Sequence, residues 1–156
     1  MGAVGRARAI ARSILKKHGI TSPPVDVAAL IKAEAPGFRV IYEEGWPDHL
    51  SGLTSKAEQT IRINSSHTPL RRRFTLAHEF GHICLEHEVI LPHRLDEETI
   101  GQEFEREADE FAGELLMPIE MFKKAFRSNP NFETLAEMFQ VSTTAVGVRV
   151  LKLHLI

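Results

Sequence analysis

The sequence predicts an α+β fold that is mainly helical and contains a small antiparallel sheet of three strands. Apolar residues recur at helical spacing near both ends of the chain, and segments rich in Val, Ile, Thr and aromatic residues lie between them. With 156 residues, 43% of them hydrophobic, the chain is long enough to bury a core. We expect this core over residues 1–130, with a helical tail over residues 131–156 packed on it.

The first part of the chain predicts two helices and then the sheet. Ala3–His18 carries apolar residues at helical spacing and is ended by Gly19, and Pro23-Pro24 precede a shorter helix at Val25–Ala35. The strands are expected at Phe38–Glu43, Ser51–Ser55 and Thr60–Asn64. Because turns join these short segments, we expect antiparallel pairing.

The helical pattern returns after Pro69. Two long helices are expected at Leu70–His87 and Glu97–Leu116, joined by a loop from about Glu88 to Asp96. Pro118 is placed to begin the next helix. The tail predicts two further helices around Gln140-Val141-Ser142, an arrangement that resembles a helix-turn-helix.

The composition indicates a cytoplasmic protein. The net charge is −2, and the single cysteine, Cys84, excludes an intrachain disulfide, which fits a reducing compartment. No apolar segment is long enough to cross a bilayer, and the N-terminus lacks the apolar region of a secretory signal. We therefore expect no membrane partner.

The stretch FTLAHEFGH, residues 74–82, contains a pattern that points to metal chemistry. On a helix, His78 and His82 lie one turn apart on the same face and can offer two imidazole nitrogens to one ion. Glu79 lies roughly 100° around the helix, where it can accept a proton from water but is poorly placed as a third ligand. The pattern His-Glu-x-x-His is that of zinc peptidases.

A zinc site needs at least a third protein ligand. The metzincin pattern requires Gly at position 85 and His at position 88, which here are Leu85 and Glu88. The alternative is a glutamate on a second helix. Glu105 is preferred because Asp109, one turn later, can accept a hydrogen bond from the free N–H of a ligand histidine. The competitors for this role are Glu103 and Glu107.

The segment AHEFGH, which ends at His82, and the segment EREADEFAGELLMP, residues 105–118, together resemble the ImmA/IrrE family of zinc metallopeptidases. The resemblance covers about residues 70–120 and implies a zincin-like core. It implies zinc bound by His78, His82 and Glu105, with Glu79 as the general base and Asp109 beside the ligands. It also implies a regulatory endopeptidase that cleaves, or otherwise relieves, a helix-turn-helix transcriptional repressor.

Other functions remain open from the residues alone. The helix-turn-helix-like tail favours a DNA-binding regulator, but residues 131–156 contain only Arg149 and Lys152 against Glu133 and Glu137, so we do not expect direct DNA contact. A zinc-binding protein that displaces a repressor, or acts in a toxin–antitoxin pair, is compatible with the same motif.

Two features of the site also remain open. Zinc is the expected metal, although manganese or iron can also occupy a site of two histidines and one glutamate. A residue that stabilises the oxyanion is not identified by the motif, and its candidates are Tyr42, His67, His87 and His93.

Overall fold

The chain forms seven helices and three strands within the residues that the structure describes. This structure is a computed structural model, which describes the backbone of residues 2–87 and 95–156 and the side chains of these residues except 95–100. The elements are α1 (Ala3–Lys17), α2 (Val27–Glu34), β1 (Arg39–Glu43), β2 (Gly52–Ser55), β3 (Thr60–Asn64), α3 (Pro69–Cys84), α4 (Leu95–Leu116), α5 (Ile119–Ser128), α6 (Phe132–Phe139) and α7 (Thr143–Lys152).

The mainly helical α+β class is confirmed. Strand β3 coincides with its predicted range, and α3 ends at Cys84, three residues before the predicted end at His87. Most of the predicted loop from Glu88 to Asp96 lies outside the described residues, and α4 already begins at Leu95. The division of the chain at residue 130 remains a prediction.

The expectation of an antiparallel sheet is wrong for one of its two pairings. The strand order is β1-β3-β2, with β2 antiparallel to β3 but β1 parallel to β3. Strand β3 is therefore central, and its side chains are nearly all buried. Strand β2 forms the edge of the sheet that faces α3.

The connection between β1 and β2, residues 44–51, explains the mixed sheet. This segment passes the end of β3 and allows β2 to pair with the far side of that strand. Buried Asn64 holds the connection, because its amide donates to the carbonyl oxygens of Pro47 at 3.1 Å and Leu50 at 2.8 Å. His67 adds a contact of 2.8 Å between its Nε2 and the carbonyl oxygen of Asp48. These contacts join residues distant in sequence, so local turn signals do not predict them.

Helices α3 and α4 pack closely because small residues lie at their contact. Ala77 and Gly81 on α3, and Ala108 and Ala112 on α4, are fully or almost fully buried. A Cβ atom added to Gly81 would lie only 3.0 Å from Cδ1 of Phe111. Phe111 is itself 0% exposed and packs edge-on against Phe80, so it has little room to move.

Helix α7 is joined to α4 by buried ionic contacts. Arg149 is 3% exposed and donates from Nε to the carbonyl oxygen of Met117 at 3.0 Å. Its guanidinium also lies 3.1 Å from Oε1 of fully buried Glu114. Lys152 forms a second ion pair, with Glu110. The tail is thus attached to the core by charge as well as by apolar packing.

Across the described residues, the structure contains no helix that combines the length and apolar character needed to cross a bilayer.

Replacing Gly81 by Ala should destabilise the protein by about 1–3 kcal/mol, because the added methyl group overpacks the contact with Phe111. Urea denaturation measures this change. Gly113→Ala is the matched control, since its Cβ would meet nothing within 4 Å on the same pair of helices, and it should stabilise by about 0.5–1 kcal/mol. Equal stability of the two variants would contradict the packing described here.

Replacing Arg149 by Ala should cost about 1–3 kcal/mol of unfolding free energy, because it removes the nearest cation among the described residues from fully buried Glu114. The carboxylate then keeps its contacts with Arg12 at 3.7 Å and with the N–H of Ile119. Exposed Arg127 on α5 provides the control, and Arg127→Ala should change stability by no more than about 0.5 kcal/mol. Thermal or urea denaturation of both variants tests the difference. A small effect at Arg149 would mean that the tail is not held by this ion pair.

Candidate metal centre

Helix α3 presents its two histidines on the face opposite its most buried side chains. Thr68 caps the helix by accepting a hydrogen bond from the backbone N–H of Arg71 at 3.4 Å, and Pro69 occupies the first turn. Leu76 and Phe80 are buried in the core. The helical rotation then directs His78 and His82 toward α4.

Three side chains bring nitrogen and oxygen atoms together at one point. Nε2 of His78 lies 3.1 Å from Nε2 of His82. The Glu105 carboxylate on α4 reaches both rings, with Oε2 at 2.8 Å from Nε2 of His78 and Oε1 at 3.0 Å from Nε2 of His82. The two imidazoles are largely buried, whereas the Glu105 side chain is 63% exposed, so the cluster opens to solvent on the α4 side.

Glu79 is buried next to this cluster. Only 6% of its surface is exposed, and a carboxylate oxygen lies within 4.8 Å of a ring nitrogen of each histidine. Thr54 on β2 donates a hydrogen bond of 2.8 Å from its hydroxyl to Oε2 of Glu79. Burial raises the pKa of Glu79, and the nearby histidines partly offset this rise.

Asp109 lies where it can fix the orientation of the His78 ring. Its Oδ1 lies 2.7 Å from Nδ1 of His78, so the ring N–H at Nδ1 donates to the carboxylate. Once Nε2 has lost its proton, this tautomer leaves the Nε2 lone pair available to a metal ion on the side of Glu105 and His82. Such a contact would hold the ring in place if His78 bound a metal ion.

His87 plays the corresponding structural part for His82, which was not predicted from the sequence. Nδ1 of His87 lies 2.9 Å from Nδ1 of His82. Burial, with the neighbouring His82, lowers the pKa of His87 to about 4, so the ring is neutral near pH 7 and can accept the N–H of His82. Its ring stacks on Phe104 with centroids 4.0 Å apart.

A helix-ending turn brings His87 back to His82. Glu86 has a left-handed backbone with φ of 58°, and the N–H of His87 donates to the carbonyl oxygen of His82 at 2.9 Å. This is a Schellman turn, which sets the second residue after the cap against the third residue before it. In a continuous helix, residues five apart lie roughly 140° apart around the axis, so the spacing of His82 and His87 does not predict this contact. A left-handed Glu86 is not signalled by the sequence, since glycine or asparagine is the usual residue there.

The remaining candidates lie elsewhere. Glu103 is exposed, whereas Glu107 is buried with Oε1 at 3.6 Å from Nε2 of His87. Tyr42 lies on β1 beneath the guanidinium of Arg72, near the start of α3, whereas the two histidines lie farther along that helix. His67 holds the connection after β1, as described above. His93 lies outside the described residues.

The ionisation of the cluster follows from its hydrogen bonds. Contacts with His78 and then His82 lower the pKa of Glu105, so its carboxylate is charged. Burial lowers the pKa of His78, but hydrogen bonds to Asp109 and Glu105 outweigh it and raise the pKa to about 10. A cation that binds Nε2 of His78 must therefore displace a proton.

The donor set fits a divalent metal ion. Tetrahedral ligands at about 2.0–2.1 Å from zinc lie about 3.3 Å apart, and the three atom pairs here lie at 2.8, 3.0 and 3.1 Å. Shifts of a few tenths of an ångström would accommodate the ion. Two neutral imidazoles and one carboxylate are also the ligand types of a catalytic zinc site.

A cleft of about 230 Å³ adjoins the cluster. Strand β2 forms one wall and α3 and α4 form the others, with contributions from Leu53, Thr54, Glu79, Phe104 and Glu105. The cleft therefore reaches His82, Glu105 and the buried carboxylate of Glu79 from the same side.

A helix bearing His-Glu-x-x-His, packed against a glutamate-bearing helix and beside a small sheet, is typical of zinc peptidases. Comparison with known families agrees with this class. The sequence profile of the peptidase M78 family, described as the IrrE N-terminal-like domain, matches residues 33–151. The chain belongs to this family.

The fold is similar to that of a solved chain described as a Mycobacterium tuberculosis transcriptional regulator. The TM-score is 0.71 at 20% sequence identity, and the similarity covers 90% of this chain and 45% of the regulator. At this identity the likeness concerns the fold, and the present chain spans less than half of the regulator. No protein of curated function matches the sequence.

Removing the group that holds either ligand ring should weaken metal binding. Asp109→Ala and His87→Ala should each raise the dissociation constant for zinc about 10–100-fold, because the ring it contacts loses its fixed orientation. Competition with a chromophoric chelator measures the constant. Exposed Glu103 on the same helix provides the control, and Glu103→Ala should bind zinc as the unmodified protein does. Unchanged binding in both test variants would contradict this role.

Proposed function

We propose that this chain is a zinc-dependent endopeptidase in which His78, His82 and Glu105 hold the metal and Glu79 is the general base. The convergence of the three donor groups within 3.1 Å of one another carries this proposal, because two imidazoles and a carboxylate at these distances match the ligand types and spacing of a catalytic zinc site. Membership of a peptidase family supports the same reaction class.

Each side chain of the site has a distinct part in peptide hydrolysis. Zinc bound there would polarise the scissile carbonyl and make water a stronger nucleophile. Glu79 accepts the proton of the attacking water and returns it to the leaving amine. Burial suits Glu79 to this task, since it raises the pKa of the carboxyl toward the pH at which a proton is both accepted and returned. Asp109 and His87 keep the ligand rings oriented.

The substrate that we propose is a helix-turn-helix transcriptional repressor. The resemblance to the ImmA/IrrE family supports it, and the fold likeness to a chain described as a transcriptional regulator is consistent with a regulatory setting. Cleavage of such a repressor in the cytoplasm would release the genes that it controls.

The alternative of direct DNA binding by the tail is less well supported. Both basic residues of α7 are already engaged with acids of α4, Arg149 with Glu114 and Lys152 with Glu110. Phosphate contacts need free cationic groups on the recognition helix. The chain could also act without cleavage, by displacing a repressor. The experiment described below distinguishes this role from proteolysis.

Glu79→Gln should keep the metal but lose cleavage. The neutral amide cannot accept the proton of water, so the rate should fall about 10²–10⁴-fold. Digestion of a proteome-derived peptide library, read by mass spectrometry, measures cleavage whatever the natural substrate is. Metal analysis of the same samples should give equal zinc content in the two proteins.

Glu103→Gln is the matched control on an exposed carboxylate, and it should cleave at the rate of the unmodified protein. A reporter gene under the candidate repressor separates the two modes of action. If Glu79→Gln relieves repression as well as the unmodified chain, the effect on the repressor does not require proteolysis and the proposed function is wrong.

A further inference from the structure

Strand β2 directs two of its residues toward α3. Because side chains alternate along a strand, Gly52 and Thr54 face the helix, while Leu53 points outward and is 49% exposed. Thr54 lines the cleft beside Glu79. Neither Gly52 nor Thr54 was predicted from the sequence to belong to the site.

The Thr54 hydroxyl forms the closest polar contact of the Glu79 carboxylate. Its Oγ1 lies 2.8 Å from Oε2 of Glu79. The main-chain oxygen of Glu79 is farther from this Oγ1, at 3.5 Å. Among the described residues, no other side chain donates a hydrogen bond to this carboxylate. A side chain that is 6% exposed has lost most of its contact with bulk water, so a protein donor contributes to holding its carboxylate in place.

Gly52 allows the strand to approach closely enough for this bond. A Cβ atom at position 52 would lie 2.7 Å from Cγ2 of Thr75 and 3.0 Å from Oε1 of Glu79. Any larger residue would therefore push β2 away from α3 and lengthen the contact between Thr54 and Glu79. The 2.8 Å contact between Thr54 and Glu79 thus depends on the absence of a side chain at Gly52 as well as on the Thr54 hydroxyl.

We propose that Thr54 is a positioning residue for the general base. This inference rests on the proposed function, in which Glu79 takes a proton from water. The Thr54 hydroxyl donates to Oε2 and keeps its own proton, so Oε1 is the oxygen that accepts the proton from water. The O–H bond of water breaks, and the water oxygen forms a bond to the scissile carbonyl carbon while the C=O π pair moves onto the carbonyl oxygen. The proton resides on Oε1 until the C=O bond re-forms and the C–N bond breaks, when the proton passes to the leaving amine nitrogen.

The same sheet contains a threonine suited as a control. Thr60 on β3 is 1% exposed, and within the described part of the chain its hydroxyl has no hydrogen-bond partner. It pairs with Ser55, the residue after Thr54. Thr60→Val removes a buried hydroxyl from the sheet without touching Glu79.

The test compares Thr54→Val, which keeps the shape of the side chain, with Thr54→Ser, which keeps the hydroxyl. On a peptide identified from the library, Thr54→Val should lower kcat about tenfold or more with little change in KM or zinc affinity. Thr54→Ser and Thr60→Val should retain kcat within about threefold. Thr54→Ala replaces Thr54→Val if that protein does not fold, as judged by circular dichroism.

Crystal structures of the variants provide a readout that does not require activity. The Glu79 carboxylate should leave its position in Thr54→Val and keep it in Thr54→Ser and Thr60→Val. If kcat of Thr54→Val equals that of the unmodified protein, the positioning role is overturned and the proposed function stands. If the unmodified protein cleaves nothing, the proposed function fails, and an unmoved carboxylate in Thr54→Val overturns the positioning role as well.

Discussion

The close approach of α3 to α4 is the contact on which the rest of the site depends. A Cβ atom on Gly81 would lie 3.0 Å from Phe111 of α4, so its absence helps to bring the two helices to the separation at which Glu105 reaches both histidines. Interiors at this packing density do not absorb an extra methyl group without moving a helix. The distance from Glu105 to the two histidines therefore depends on an apolar helix contact that takes no part in the chemistry itself.

Each reactive side chain is also held by a neighbour from a different part of the fold. Asp109 on α4 holds His78, the turn after α3 brings His87 to His82, and Thr54 on β2 holds Glu79. Orientation in this way lowers the cost of organising the site at the moment of reaction. The helix pair supplies the donors, and the sheet and the turn fix their direction.

The parts of the fold that depend on local signals were predicted from the sequence, and the parts that depend on distant contacts were not. Helical spacing placed His78 and His82 on one face, and the four-residue step from Glu105 to Asp109 indicated a pair on α4. The parallel pairing of β1 with β3 requires contacts from Asn64 to the connection before β2, which no local pattern reveals. His87 was missed because Glu86 takes a left-handed conformation that its side chain does not favour.

In the proposed site, two imidazoles from α3 and one carboxylate from α4 hold a single divalent ion. Anomalous diffraction at the zinc edge, from crystals of the zinc-loaded protein, locates this ion. We expect one strong peak about 2.0–2.2 Å from Nε2 of His78, Nε2 of His82 and a carboxylate oxygen of Glu105. A peak at any other position, or none at a zinc concentration that saturates the protein in solution, would rule out this site.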